Sequence, residues 1–154
     1  LERMKAGMPN EGGVAVIEFG GNDCDLDWKA ASEQPEIAQQ GKVPLKLFGE
    51  NLKKMRKMGV KVGFGTDAAT PFNPHGKQAF EFELMCRYGD FAPAETLLAA
   101  TKVNSEMLRW DDRVGSIEPG KLADVIAFDS SPLEDIRVMT NCTFVMKDGV
   151  VYKG

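Results

Sequence analysis

The chain predicts an α/β fold that gives way to a small β appendage, and three observations carry that expectation. A helical pattern, a glycine turn and an apolar strand follow one another between residues 45 and 66, as in an α/β repeat. Two more helical patterns come next, up to about residue 110. Beyond Trp110 the chain turns to short strand-like runs, the last split by Asp148-Gly149, a strong short-range hairpin signal. At 154 residues the chain is long enough for a domain with its own core.

Taken in order, Val14 to Phe19 is a short run rich in branched residues, bounded by Gly12-Gly13 and Gly20-Gly21, and is expected to be a buried strand. Residues 22 to 44 are polar and hold Pro35, Gly41 and Pro44, which predicts a long loop with at most a helical turn. From Leu45 to Met58, Phe48, Leu52 and Met55 recur at helical spacing, with Lys53, Lys54, Arg56 and Lys57 at other positions and Gly59 as the stop. The cationic end of that helix complements its dipole. Val60 to Thr66 follows as a strand. Phe80, Leu84 and Tyr88 mark a second helix, and Pro93 opens a third that carries Leu97, Leu98, Thr101 and Leu108. Gly115 to Lys121 is rich in turn residues, Ala123 to Phe128 is an apolar strand, and Phe144 to Tyr152 is the hairpin. Neither an internal repeat nor a low-complexity stretch is found.

Composition narrows the partners. Nineteen basic and twenty-three acidic residues give a formal charge of −4, without a basic stripe or a block of like charges, so nucleic acid and membrane partners are not expected. No apolar stretch approaches the roughly 20 residues that cross a bilayer, and the charged start Leu1-Glu2-Arg3-Met4-Lys5 lacks a signal-peptide core, so a cytoplasmic protein is expected. Cys24, Cys86 and Cys142 have no close spacing that would suit a disulfide framework or a thiolate zinc site and are read as reduced thiols. Asn141-Cys142-Thr143 fits the glycosylation pattern only formally.

The chemistry concentrates at Asp67. It ends Gly63-Phe64-Gly65-Thr66-Asp67, an apolar strand finishing in a carboxylate, and is followed by a proline-rich loop with the single histidine, His75. Taken alone, such an Asp also serves as a helix cap or turn residue, and His75 as a loop residue or cap. Asp23, Asp25 and Asp27 begin a calcium-loop pattern, but Trp28 stands at the tight-turn glycine position and Gln34 at that of the closing glutamate, so calcium is not expected. Glu81 and Glu83 lie on different faces of a helix, one solvated and one paired locally. Met55, Met58, Met85, Met107 and Met146 read as core filling. Only two candidate parallel strands are found, fewer than a sheet covered on both faces normally has.

Gly63-Phe64-Gly65-Thr66-Asp67-Ala68, Thr70 to Gly76, Glu81 to Met85, Pro93 with Leu97 to Thr101, Asn104, and Gly115 to Val125 together resemble the amidohydrolase superfamily. The branch is that of imidazolonepropionase-like enzymes and related Xaa-Pro dipeptidases, and the ordered motifs cover residues 60 to 152. The resemblance implies the C-terminal portion of a (β/α)₈ TIM barrel of the metal-dependent hydrolase type, plus a small β-sandwich segment. Residues 1–110 would be the partial barrel, with Val60 to Thr66 its eighth strand, and residues 111–154 the sandwich segment. Asp67 would then sit on the C-terminal rim, where barrel enzymes keep their chemistry.

The resemblance further implies that Asp67 is a catalytic residue and metal ligand, moving a proton from the attacking water to the leaving group. His75 is expected to contact substrate, a small molecule or a dipeptide-like amide. The implied cofactor is a divalent metal, zinc first. The family's other ligands are a His-x-His pair on the first strand, a lysine or glutamate on the fourth and histidines on the fifth and sixth. None has a counterpart here, and a catalytic zinc needs three protein ligands plus water. The chain by itself is therefore not expected to hydrolyse by this mechanism. The site would be completed by a missing N-terminal segment or by self-association into a homo-oligomer. The alternative is a non-catalytic, self-associating module. A small hydrolase built on His75 with a Ser or Cys has no nucleophile motif to support it.

Overall fold

The computed structural model describes residues 14–18, 47, 49–69 and 74–154. The predicted loop at 22–44, Cys24 and the Asp23, Asp25 and Asp27 run lie outside the described residues.

Strand β1, Val14–Glu18, pairs in parallel with β2, Lys61–Gly65, in a register that sets Val14 beside Lys61 and Glu18 beside Gly65. Parallel neighbours need a crossover between them. Residues 49–57, helical and here called α1, lie on that connection, and the turn at Met58 and Gly59 leads into β2. The strand is one residue shorter at each end than the apolar run suggested.

Helix α2, Phe80–Gly89, opens with Glu81 and Glu83 in its first turn and closes at Asp90, whose φ of 61° is left-handed and whose N–H donates to the Met85 carbonyl. The third helix, α3, starts at Pro93 as expected and runs as Pro93–Leu98, then a π-helical stretch Ala99–Val103, then Asn104–Leu108. Its first turn is held by Glu95, whose Oε2 accepts the Ala92 N–H at 2.8 Å. Arg109, at φ 58°, ends it.

The π stretch changes which side of α3 is buried. Thr96, Ala99 and Ser105 are inside, whereas Leu98 and Leu108, two of the residues whose spacing predicted the helix, are exposed. A π turn bonds i→i+5 rather than i→i+4 and so advances the helix face. Two carbonyls along this part of α3 accept side-chain hydroxyls: Thr101 Oγ1 donates to Leu97 O at 2.7 Å, and Ser105 Oγ to Lys102 O at 2.8 Å.

Two apolar clusters form the core. Leu52 of α1, Val62, Leu84, Met85, Phe91 and Ala99 make the first, and Phe82, Ile136 and Met139 make the second. Phe64 packs against both, and its ring centroid lies 4.4 Å from that of Phe82. Met85 is core filling as expected, but Met58 is exposed. Glu81 is buried and Glu83 half-buried, so it is Glu81 that leaves solvent.

After α3, β3 (Val125–Ala127), a 3₁₀ turn (Ile136–Thr140), β4 (Phe144–Lys147) and β5 (Val150–Lys153) complete the chain. The three strands form one antiparallel sheet in the order β3-β4-β5. The hairpin falls where Asp148-Gly149 predicted it, with φ of 48° and 77° at the two residues, both positive as a type I′ turn requires. Among the described residues the β1/β2 pair is the only other sheet.

Candidate active site

The floor of the site is the C-terminal end of the β1/β2 pair. Parallel pairing brings Glu18 and Gly65 to the same edge, and Asp67 follows Gly65 by two residues. Open α/β sheets and barrels both bind ligands at that end of their strands.

Asp67 is exposed and has φ 45°, and Ala69, two residues on, has φ 77°. Left-handed conformations are uncommon for residues with a Cβ, and Asp is among those that tolerate them best. Two such residues so close together make the chain leave β2 in a sharp bend, with the carboxylate at its start.

What precedes the bend is held firmly. Phe64 is fixed by its ring between the two clusters and by its backbone, since its N–H donates to Asn104 Oδ1 and its C=O accepts from Asn104 Nδ2, each at 2.9 Å. At the other end of β2, Lys61 Nζ meets Glu106 Oε2 at 2.8 Å, a hydrogen bond that lowers the Glu106 carboxyl below its ordinary range.

His75 is an exposed turn residue, with Nδ1 3.4 Å from Gln78 Nε2, while Gln78 Oε1 accepts the Gly76 N–H at 2.8 Å. The turn thus ties His75 to the approach to α2. Residues 70–73 between Asp67 and His75 are outside the described residues. Cys86 and Cys142 are free thiols, as expected. Among the described residues no helix is long and apolar enough to cross a membrane.

A catalytic divalent metal needs at least three protein donors in most zinc sites. Among the described residues no group of three or more His, Cys, Asp or Glu side chains is arranged to hold one. Asp67 has the right chemistry for one ligand and the described residues do not complete the set, so they do not by themselves fit the group.

Residues 45–153 match the model of the amidohydrolase family. Among curated proteins, the chain is 31% identical over 156 aligned positions to an imidazolonepropionase of Brevibacillus brevis, covering 93% of this chain and 37% of that protein. It is 36% identical over 103 positions to an ochratoxinase of Aspergillus niger, covering 64% of this chain and 20% of that one. Among solved structures, a Xaa-Pro dipeptidase with methionine bound in its active site superposes with a TM-score of 0.73 at 32% identity, over 91% of this chain and 35% of the other. The A. niger ochratoxinase structure superposes with a TM-score of 0.69 at 28% identity, over 90% of this chain and 32% of the other. The chain therefore spans about a third or less of the length of these relatives.

Proposed function

The chain belongs to the amidohydrolase family, and on that premise we propose that it supplies the Asp67 end of a site hydrolysing amide or peptide-like C–N bonds. The observation that carries this reading is the position of Asp67: a carboxylate just past the C-terminal edge of a parallel strand pair, in a chain that superposes on a Xaa-Pro dipeptidase. The relatives named as an imidazolonepropionase, an ochratoxinase and a dipeptidase support a small-molecule or dipeptide-like substrate.

In this reading residues 1–110 are the last part of a (β/α)₈ barrel and β3, β4 and β5 are one sheet of a small β-sandwich. Asp67 accepts a proton from the attacking water as general base and returns it to the leaving nitrogen as general acid. His75 contacts the substrate in this reading. The family is metal-dependent in general, and zinc is the cation we propose for the assembled site. Because the described residues do not complete its ligand set, no step is written through it. The other ligands come from a segment beyond this chain or from a second copy. The protein is proposed to act in the cytoplasm, and its formal charge of −4 supports a reading without nucleic acid or membrane partners.

A chimera tests the proposal. This chain replaces the matching third of the Xaa-Pro dipeptidase, and folding is checked by circular dichroism. Hydrolysis of Xaa-Pro dipeptides by the folded chimera supports the reading; a folded, metal-loaded and inactive chimera overturns it.

A second reading, a non-catalytic module that self-associates, is favoured by apolar exposure on the C-terminal sheet, where Ile126, Val150, Val151 and Tyr152 are all more than half exposed. Sedimentation at micromolar concentration decides this one, a monodisperse monomer counting against it.

A further inference from the structure

Phe64 occupies an unusual place in β2. Within a strand the N–H and C=O of one residue point to the same edge, and those of its neighbours to the other. Gly63 and Gly65 are the immediate neighbours of Phe64 in the strand that pairs with β1. The two polar groups of Phe64 are taken by one side chain, the carboxamide of Asn104, in a cyclic pair of 2.9 Å bonds. A primary amide presents a donor and an acceptor side by side, as a peptide group does, and here it stands in for one residue of a neighbouring strand.

The helix shows why Asn104 can reach. Its own N–H closes the π turn by donating to Ala99 O, five residues back. The π stretch thus ends on Asn104, and the wide turn is the device that brings it against β2. π turns inside α-helices occur frequently at functional sites.

The consequence falls on Asp67. Between Phe64 and Asp67 lie only Gly65 and Thr66, and from Asp67 onward the backbone is left-handed at two of three residues. Left-handed φ at a residue with a Cβ persists only where the surroundings over-determine it. Phe64, locked by its ring on one side and its backbone on the other, is a firmly anchored residue three positions before Asp67. We infer that Asn104 is a positioning residue for Asp67: its carboxamide clamps the Phe64 backbone and thereby fixes where β2 ends and the Asp67 bend begins. The catalytic meaning of this inference rests on the role proposed for Asp67 above.

Nuclear magnetic resonance on the full chain tests it without any turnover. In Asn104→Ala, amide exchange at Phe64 is expected to accelerate about tenfold or more, the factor that loss of roughly 1.4 kcal/mol of local protection implies. The Asp148 amide in the distant hairpin keeps its rate. The couplings and carbon shifts that report left-handed φ at Asp67 are expected to average toward ordinary values. Asn104→Asp keeps the acceptor for the Phe64 N–H and loses the donor to its carbonyl, so it should restore protection at Phe64 in part.

Unchanged exchange at Phe64 in Asn104→Ala overturns the clamp. Faster exchange there with the Asp67 signature intact overturns the positioning role. If Asn104→Ala unfolds as a whole, Asn104→Leu, which removes both bonds and keeps the side-chain volume, is read by the same two criteria and decides. Hydrolysis that survives Asp67→Asn in the chimera removes the catalytic reading of Asp67, a failure distinct from either of these.

Discussion

Arg56 and Glu95 meet at 2.6 Å between α1 and α3, and the contact organises everything around it. Arg56 Nη1 also donates to the Asp90 carbonyl at 2.6 Å, and its guanidinium lies 3.9 Å from the centre of the Phe91 ring. The second oxygen of Glu95 caps the start of α3 through Ala92 N–H. One ion pair thus ties α1, the α2–α3 turn and the first turn of α3 together, beneath the π stretch that presents Asn104.

Arg56→Lys keeps the charge and loses the planar fork, which makes three of these contacts at once. Expected is a loss of about 1 kcal/mol, seen as a melting temperature lower by roughly 2–4 °C. An unchanged melting temperature in a thermal scan would show that the fork contributes nothing.

The Ala92 N–H and Arg56 hold the Glu95 carboxyl below its ordinary range. A carboxyl lowered in the folded state stabilises above its unfolded pKa and loses that contribution as pH falls through the folded value. Because the side chain is 48% exposed, solvent screens much of the effect. Stability of the wild type should therefore fall slightly more steeply than that of Glu95→Gln as pH is lowered through the carboxylate range. Parallel acid titrations, followed by circular dichroism, would contradict this.

Gly49 shows a helical glycine whose replacement has the opposite sign to propensity. An alanine ordinarily stabilises a helix interior by about 1 kcal/mol over glycine. A Cβ at Gly49 would lie 2.5 Å from the Tyr88 carbonyl oxygen, a backbone atom of α2 that cannot swing away. Gly49→Ala is expected to destabilise by about 1–3 kcal/mol in urea, as overpacking does. A more stable variant would show that α1 and α2 can separate without loss.

Asp124 fastens the hairpin to β3. Its carboxylate accepts the Asp148 N–H at 2.7 Å and pairs with Lys147 at 3.0 Å, and both lower its pKa, the backbone bond first. This fastening is present above the unfolded carboxyl range and released as pH falls through the lowered value. Asp124→Ala should speed amide exchange at Asp148 at neutral pH, and wild type and variant should converge in acid. Equal rates at neutral pH would remove Asp124 from the turn.

Metal content follows from the incomplete ligand set. After dialysis against zinc, elemental analysis of the chain alone should find well below one ion per chain, since a zinc site ordinarily takes about three protein donors. A stoichiometric ion lost in Asp67→Asn would show that this chain completes a site itself.

Much of the fold was legible because local and tertiary preferences agree. Gly59 between a helical pattern and an apolar run, Pro93 at the first helical position, and Asp148-Gly149 between two strands each allow little else. The buried face of α3 was not legible. Leu98 and Leu108 lie outside while Ala99 and Ser105 lie inside, and a 3.6 periodicity does not anticipate the i→i+5 stretch at Ala99–Val103 that separates the two ends of the helix. Asp67 was visible from its strand-end setting and the motif around it. The Asn104 clamp was not, because the two residues lie forty apart and only the folded helix brings a carboxamide to the edge of β2.

The dipeptidase chimera carrying Asp67→Asn offers the most direct test of the central claim. General acid–base catalysis by one positioned group contributes about 10²–10⁴-fold, so kcat should fall by that factor with folding unchanged. A kcat within about threefold of the parent chimera, far inside that range, would contradict the role given to Asp67.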